Sequence, residues 1–211
     1  MISIDALTLE VDAPAAARAF YAQAFGLERQ LGFRASDAPT RGFRGYTLSL
    51  VVSQPSTVEA LVEAALSAGA RALKPAKKSF WGFGGVVQAP DGAIWKVATS
   101  SRKDSGPATT KVDSVVLLLG VADVTASKRF YVERGLEVGK SFPRKYVEFK
   151  TAPGGVTLAL YGRNALAKDA GVAPEGSGSH RLVIGSAAGA FTDPDGFAWE
   201  PAPATPGAAA A

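Results

Sequence analysis

The sequence contains no cysteine, so disulfides, thiolate metal sites and cysteine nucleophiles are excluded. Any chemistry falls to oxygen and nitrogen donors. Histidine is nearly absent as well: His180 is the single copy in 211 residues, which removes the multi-histidine zinc sites. A Ser-His-Asp arrangement has His180 for a base, but no serine sits in a strained elbow to accompany it. Gly-x-Gly-x-x-Gly, P-loop and His-Glu-x-x-His patterns are missing too. No run of 18 apolar residues occurs, and Met1-Ile2-Ser3-Ile4-Asp5 has neither the basic start nor the apolar stretch of a signal peptide. A cytoplasmic protein with no membrane partner is expected. Lys and Arg outnumber Asp and Glu by 23 to 19, a formal charge of +4, but they form no continuous run. With no zinc-finger spacing or RNP-like aromatic signature, no nucleic-acid partner is expected.

What is present is a globular composition, 47% hydrophobic and 20% charged, with an internal repeat. Ile4-Asp5-Ala6-Leu7-Thr8-Leu9-Glu10-Val11 reads as a strand, and Val115-Val116-Leu117-Leu118-Leu119-Gly120-Val121 is its apolar counterpart. Each leads into a similar helix. Pro14 suits the first turn of one, Ala17, Phe20, Tyr21 and Ala24 form its apolar stripe, and Gly26 stops it. Asp123 caps the other, Phe130-Tyr131 repeats the aromatic pair, and Gly135 is the stop. Ala89-Pro90-Asp91-Gly92-Ala93-Ile94-Trp95-Lys96 matches Asp193-Pro194-Asp195-Gly196-Phe197-Ala198-Trp199-Glu200, a turn joining two short strands. Within these turns Asp91, Asp193 and Asp195 are read as turn formers.

A further helix opens with the capping box Ser56-Thr57-Val58-Glu59, carries Val58, Leu61, Val62, Ala65 and Leu66 on one face, and ends at Gly69. Strands at Tyr46 to Val52, Val86 to Gln88 and Ile94 to Ala98 surround it. Residues 113 to 161 form a similar unit, with strands near Val138, Tyr146 to Phe149 and Val156 to Tyr161. The polar stretch 100–111 reads as a linker between halves 1–99 and 112–203, and the Pro/Ala tail 204–211 as disordered.

The order strand, Phe-Tyr helix, Gly-Leu stop, Pro-Asp-Gly turn and Trp strand resembles the vicinal-oxygen-chelate superfamily, which groups glyoxalase I, extradiol dioxygenases and fosfomycin- and bleomycin-resistance proteins. The resemblance covers about residues 4 to 99 and 113 to 200. It implies an α+β fold of repeated βαβββ modules in cup-shaped mixed sheets. Four modules are expected, two complete and two shortened: the first between Arg34 and Gly45, the last from His180 to Glu200. How they pair is not readable.

Metal-dependent members carry one ligand in the first strand of a module and a Glu in the last. By that pattern Ala6 and Val116 stand at ligand places and bind nothing, Ala159 replaces a carboxylate, and Thr47 with Lys96 hold another pair of places. The last module keeps His180 and Glu200 as a candidate, incomplete metal pair, set against a residual hydrogen bond. The resemblance places Phe80, Trp81 and Phe83, between the glycines of Lys77–Gly85, at the cavity border, to stack on a planar ligand or merely fill the core. Lys96 and Thr47 complete the candidate ligand-binding set. The leading expectation is a small-molecule-binding protein of bleomycin-resistance type, with no cofactor and no complete catalytic metal site. A metal-dependent lyase, isomerase or dioxygenase, and an interaction domain with a filled cup, are the alternatives. Either a monomer, its modules paired internally, or a homodimer fits.

Overall fold

A computed structural model describes residues 4–28, 30–80 and 82–202. Trp81 and the tail from 204 lie outside the described residues.

The first module runs β1 (Ile4–Val11), α1 (Pro14–Phe25), β2 (Leu31–Ala35), followed by the short β3 (Thr40–Gly42). The second is complete: β4 (Tyr46–Val51), α2 (Pro55–Ser67), β5 (Arg71–Ser79), β6 (Gly82–Gln88), β7 (Ile94–Thr99). The third repeats it: β8 (Ser114–Val121), α3 (Val124–Glu133), β9 (Val138–Phe142), β10 (Tyr146–Phe149), β11 (Thr157–Gly162). Then come α4 (Arg163–Ala170), β12 (Gly176–Gly178) and a last module of strands only, β13 (Leu182–Ser186), β14 (Phe191–Thr192) and β15 (Ala198–Pro201). The fold is α+β with mixed sheets.

The pairing, which periodicity left open, is 2 with 3 and 1 with 4. β4 and β8 run antiparallel and join the complete modules into an eight-stranded sheet, β5-β6-β7-β4-β8-β11-β10-β9. β1 and β13 run antiparallel and join the shortened ones into a five-stranded sheet, β14-β15-β13-β1-β2. In every module the first strand lies parallel to the last: β1 to β2, β4 to β7, β8 to β11 and β13 to β15. The first module has thus lost its middle strands, and β2 directly takes the last-strand place.

Strand alternation divides each sheet into an inner and an outer face. Leu7 and Leu9 of β1, Ile184 of β13, Leu48 and Leu50 of β4 and Leu117 and Leu119 of β8 share one apolar core with Tyr21, Leu61 and Tyr131 of α1, α2 and α3. Each such side chain taken from water contributes roughly 1.5–3 kcal/mol. Pro14 opens α1 and left-handed Gly26 closes it, while Asp123 caps α3 by accepting from the Thr125 and Ala126 amides. The buried stripe of α1 includes the expected Ala17, Phe20, Tyr21 and Ala24.

Helix α2 departs from expectation at its start. Its N-cap is Gln54 with Pro55 inside, so the Ser56 capping box does not form; the Ser56 amide instead donates to Asp104 Oδ1 at 2.8 Å. Gln54 Nε2 donates to the carbonyls of Gly106 and Pro107, and its Oε1 accepts from Ser105. The stretch read as a linker is therefore fastened to the helix start, where free amides offer partners. Leu66, expected on the buried face, is 40% exposed.

Two Tyr-Asp links, one buried and one half-buried, repeat across module pairs. Tyr21 of α1 donates to Asp91 Oδ2 at 2.9 Å, and Tyr131 of α3 donates to Asp193 Oδ2 at 2.5 Å. Each ties a helix of one module to the Pro-Asp-Gly turn of the next. The other oxygens serve their own turns, accepting from Ala93 N at Asp91 and from Asp195 N and Phe197 N at Asp193. Burial raises the pKa of both carboxyl groups.

Candidate functional site

The outer face of the eight-stranded sheet is the cup in which Thr47 and Lys96 were expected. Both are on it: Ser49 lies beside Lys96 in the ladder, and Thr47 shares its face one step along. The cup is filled by the chain itself. Helix α4 lays Leu166, Ala167 and Ala170, all at most 2% exposed, among Val86, Ile94 and Leu118 of the same face. Thr47 and Ala159 beneath are buried at 4% and 0% exposure. A Cβ at Gly120 would stand 3.2 Å from Leu166 Cδ2 and from Arg163 Cα, so the helix approaches β8 as closely as a glycine permits.

Polar contacts fix the plug. Lys96 Nζ meets Asp169 Oδ2 at 2.7 Å, and Lys74 Nζ donates to the final carbonyls Lys168 O at 2.7 Å and Asp169 O at 2.6 Å. Lys96, a member of the candidate ligand-binding set, thus faces a carboxylate of the same chain.

The aromatic border is not assembled as expected. Phe83 pairs with Thr99 in β6, alternates with Gly85 and Val87, and is 8% exposed in the core shared with α2. Its face is therefore opposite to that of Lys96. Phe80 sits at the turn between β5 and β6, 79% exposed.

The five-stranded sheet gives a different result. Register identifies equivalent places: Thr8 opposite Gly32, Ser49 opposite Lys96, Leu118 opposite Ala159 and Gly185 opposite Glu200. Two residues earlier in each first strand stand Ala6, Thr47, Val116 and Val183. The first-strand place in the last module therefore belongs to Val183, and His180 precedes the strand altogether. His180 and Glu200 do not meet: His180 stands before β13, next to the left-handed Arg181, whereas Glu200 lies opposite Gly185 within it. The imidazole stacks on Phe197 at 3.9 Å, with Nδ1 2.5 Å from Arg44 O and Nε2 3.1 Å from Asp195 O, so both ring nitrogens face backbone carbonyls, of which a neutral ring donates to one.

Glu200 instead receives a bidentate contact from Arg34, Nη1 to Oε1 at 3.0 Å and Nη2 to Oε2 at 2.7 Å. Those hydrogen bonds lower the pKa of Glu200 and raise that of Arg34. Since β13 and β1 lie between their strands, a flat sheet would hold the two backbones about 14 Å apart sideways alone. The contact needs a sheet curled toward its outer face. A guanidinium thus neutralises the one carboxylate at a ligand place. Ala6, Gly32 and Val183 offer no donor beside it, and no group of three or more His, Asp or Glu residues suited to a metal exists among the described residues. These residues do not fit a divalent ion.

Around the edge of this sheet runs a half-open groove of about 900 Å³, lined by Ala6, Thr8 and Gly32 from the sheet, Leu27 and Glu28 after α1, residues 112–115 before and within β8, and residues 151, 152 and 154–157 leading into β11. The floor is low at Gly32, where a Cβ would stand 2.7 Å from Thr8 Oγ1 and would push that hydroxyl aside. Sequence reasoning missed this groove, since it depends on how the two sheets meet.

The geometry has counterparts among solved structures. Glyoxalase I from Zea mays superposes with a TM-score of 0.60 at 16% identity, over 94% of this chain and 91% of that one. The chain has the glyoxalase I fold. A mutant of the same Zea mays protein gives 0.59, also at 16% identity over 94% and 91%. A glyoxalase/bleomycin resistance protein/dioxygenase family enzyme from Burkholderia phytofirmans PsJN aligns with 46% of this chain and 98% of its own, at 20% identity and a TM-score of 0.42. No protein-family model matches the sequence, and no curated protein does. Among the described residues no helix of this glyoxalase-fold chain is long and apolar enough to cross a membrane.

Proposed function

We propose that this glyoxalase-fold chain is a small-molecule-binding protein of the glyoxalase/bleomycin-resistance kind, working without a resident divalent metal, and that its ligand sits in the groove at the five-stranded sheet. The observation that carries the reading is that the groove is floored by Ala6, Thr8 and Gly32, the small residues at or beside the ligand places, while α4 occupies the other cup. Its volume falls in the range of about 300–1,000 Å³ usual for ligand pockets. Because both sheets draw their halves from one chain, the reading is of a cytoplasmic monomer with a small-molecule partner.

The test is a thermal-shift screen of planar metabolites and drugs in excess EDTA, on wild type and Thr8→Trp. A ligand at 100 times its Kd adds roughly 2.7 kcal/mol. For a chain of this size that raises the melting temperature by about 5–10 °C. A shift seen in EDTA and lost in Thr8→Trp is expected; a shift abolished by EDTA, or untouched by Thr8→Trp, refutes the reading.

A further inference from the structure

We infer that the outer face of β9, β10 and β11 is a platform for single-stranded nucleic acid, separate from the groove. Helix α4 packs on β4, β8 and β11 and so covers the middle of the eight-stranded sheet, leaving its β9 end open. At that end register sets three rings in one row: Phe142 of β9 opposite Tyr146 of β10, and Tyr146 opposite Tyr161 of β11. Their centres lie 6.3 and 6.1 Å apart, and their planes are tilted by 47° and 80°, so no ring is stacked flat on its neighbour. Phe142 is 51% exposed, and Tyr146 and Tyr161 are half-buried. Single exposed apolar side chains are ordinary on a protein surface; a contiguous row of aromatic rings marks an interaction site.

Charge selects the occupant. Along the chain the basic residues form no continuous run, which argued against a nucleic-acid partner. The fold, however, sets cations on both sides of the row. Lys140 lies two residues before Phe142 on the same face, and Arg144 and Lys145 belong to the turn just beyond it. All three are exposed, and none makes an ion pair among the described residues. Lys140 Nζ stands 5.4 Å from the centre of the Phe142 ring. Glu148, the carboxylate opposite Lys140, accepts from the Tyr146 hydroxyl at 2.7 Å. A single strand matches both parts of the pattern: bases stack on the rings whatever their identity, and phosphates meet the flanking cations. A duplex hides its base faces. An anionic membrane needs apolar groups standing beyond the charges, whereas Tyr146 and Tyr161 lie low on the sheet.

The test is fluorescence anisotropy of a labelled oligothymidylate about 10 nucleotides long, titrated with the full chain. Each single-strand phosphate contact contributes about 0.7 to the slope of log Kd against log salt, so three cations give a slope of about 2 and binding should weaken roughly 20-fold between about 50 and 200 mM salt. Phe142→Ala should weaken binding tenfold or more at an unchanged salt slope, because a stacking face is lost and no charge is. If that variant does not fold, Phe142→Leu, apolar but without a ring, gives the same comparison. Arg144→Ala combined with Lys145→Ala should flatten the slope by about 1.4. The duplex of the same length, thymidine monophosphate and phosphatidylserine vesicles should each bind at least tenfold more weakly. Wild-type affinity without the Phe142 ring reduces the effect to bulk charge and overturns the platform. Equal binding of the duplex, the mononucleotide or the vesicles also overturns it, as does an absence of oligonucleotide binding at the lower salt concentration.

Discussion

Leu166→Ala tests whether α4 is part of the core or a cover resting on it. Leu166 is fully buried, against the outer face of the eight-stranded sheet beside Leu118 and Gly120. Truncating a leucine in such a place costs about 2–5 kcal/mol, the transfer loss plus a cavity that closely packed strands cannot close. In a chain of 211 residues each kcal/mol lowers the melting temperature by about 2–4 °C, so a drop of about 5–15 °C is expected. Lys96→Met supplies the contrast. The Lys96–Asp169 pair has side chains 35% and 40% exposed, which screens it to about 0–1 kcal/mol. Packing should therefore outweigh the ion pair several-fold. Urea denaturation with a constant slope and a shifted midpoint is the assay. A cost below about 1 kcal/mol for Leu166→Ala, or an equal cost for Lys96→Met, would refute the assignment of α4 to the core.

Further outcomes follow from the same geometry. Asp193→Ala strands the Tyr131 hydroxyl and two turn amides and should cost about 2–4 kcal/mol; Asp91→Ala, which strands the Tyr21 hydroxyl and one amide, should cost less on the same urea assay. Because burial raises both aspartate pKa values, the native state holds those protons more tightly than the unfolded chain, and stability falls as pH rises through and just above the ordinary carboxylate range. Asp→Asn at either site should flatten that slope in pH-resolved denaturation. Glu200 has the opposite sign: its lowered pKa contributes stability above the ordinary range that disappears on acidification. The Arg34→Gln and Glu200→Gln cycle should give a coupling of about 0–1 kcal/mol that shrinks with salt, since the side chains are 47% and 44% exposed. His180→Ala should lower stability by about 1–3 kcal/mol through the loss of a hydrogen bond to a backbone carbonyl and of the stacking on Phe197. Calorimetric titration with Mn²⁺ or Zn²⁺ should be the same for that variant and wild type, and a stoichiometric site lost on substitution would contradict the geometry.

The parts of the fold legible in the sequence were those with local punctuation. Pro14, Gly26, Asp123 and Gly135 mark helix ends through backbone preferences that act within one turn, and each is found at or beside the end it signalled. The Ser56 capping box failed because Pro55 takes the first helical position and Gln54 the cap, which places Ser56 inside the helix; its amide is then met by Asp104, 48 residues away. Helix α4 escaped notice for a related reason. It has eight residues, three of them buried, and two of those are alanines, so its apolar stripe is too slight to stand out until Gly171 closes it in a left-handed turn. The plug in the cup was therefore invisible from sequence, and with it the fate of Lys96.

The misplacement of His180 has a more instructive cause. In the first and third modules the ligand places, Ala6 and Val116, follow from spacing back from the Phe20-Tyr21 and Phe130-Tyr131 pairs of the helices. The last module has no helix, and the Pro-Asp-Gly turn marks only its final strand. Glu200 could be placed from that turn; its partner could not, and the single histidine was drawn in by its chemistry. Register supplies the missing ruler, because Gly185 lies opposite Glu200 as Ser49 lies opposite Lys96. Once Val183 takes the place, one carboxylate remains among eight positions, and it is already held by Arg34. The fold by itself then carries no argument for a metal here, because a site depends on which side chains stand at its places.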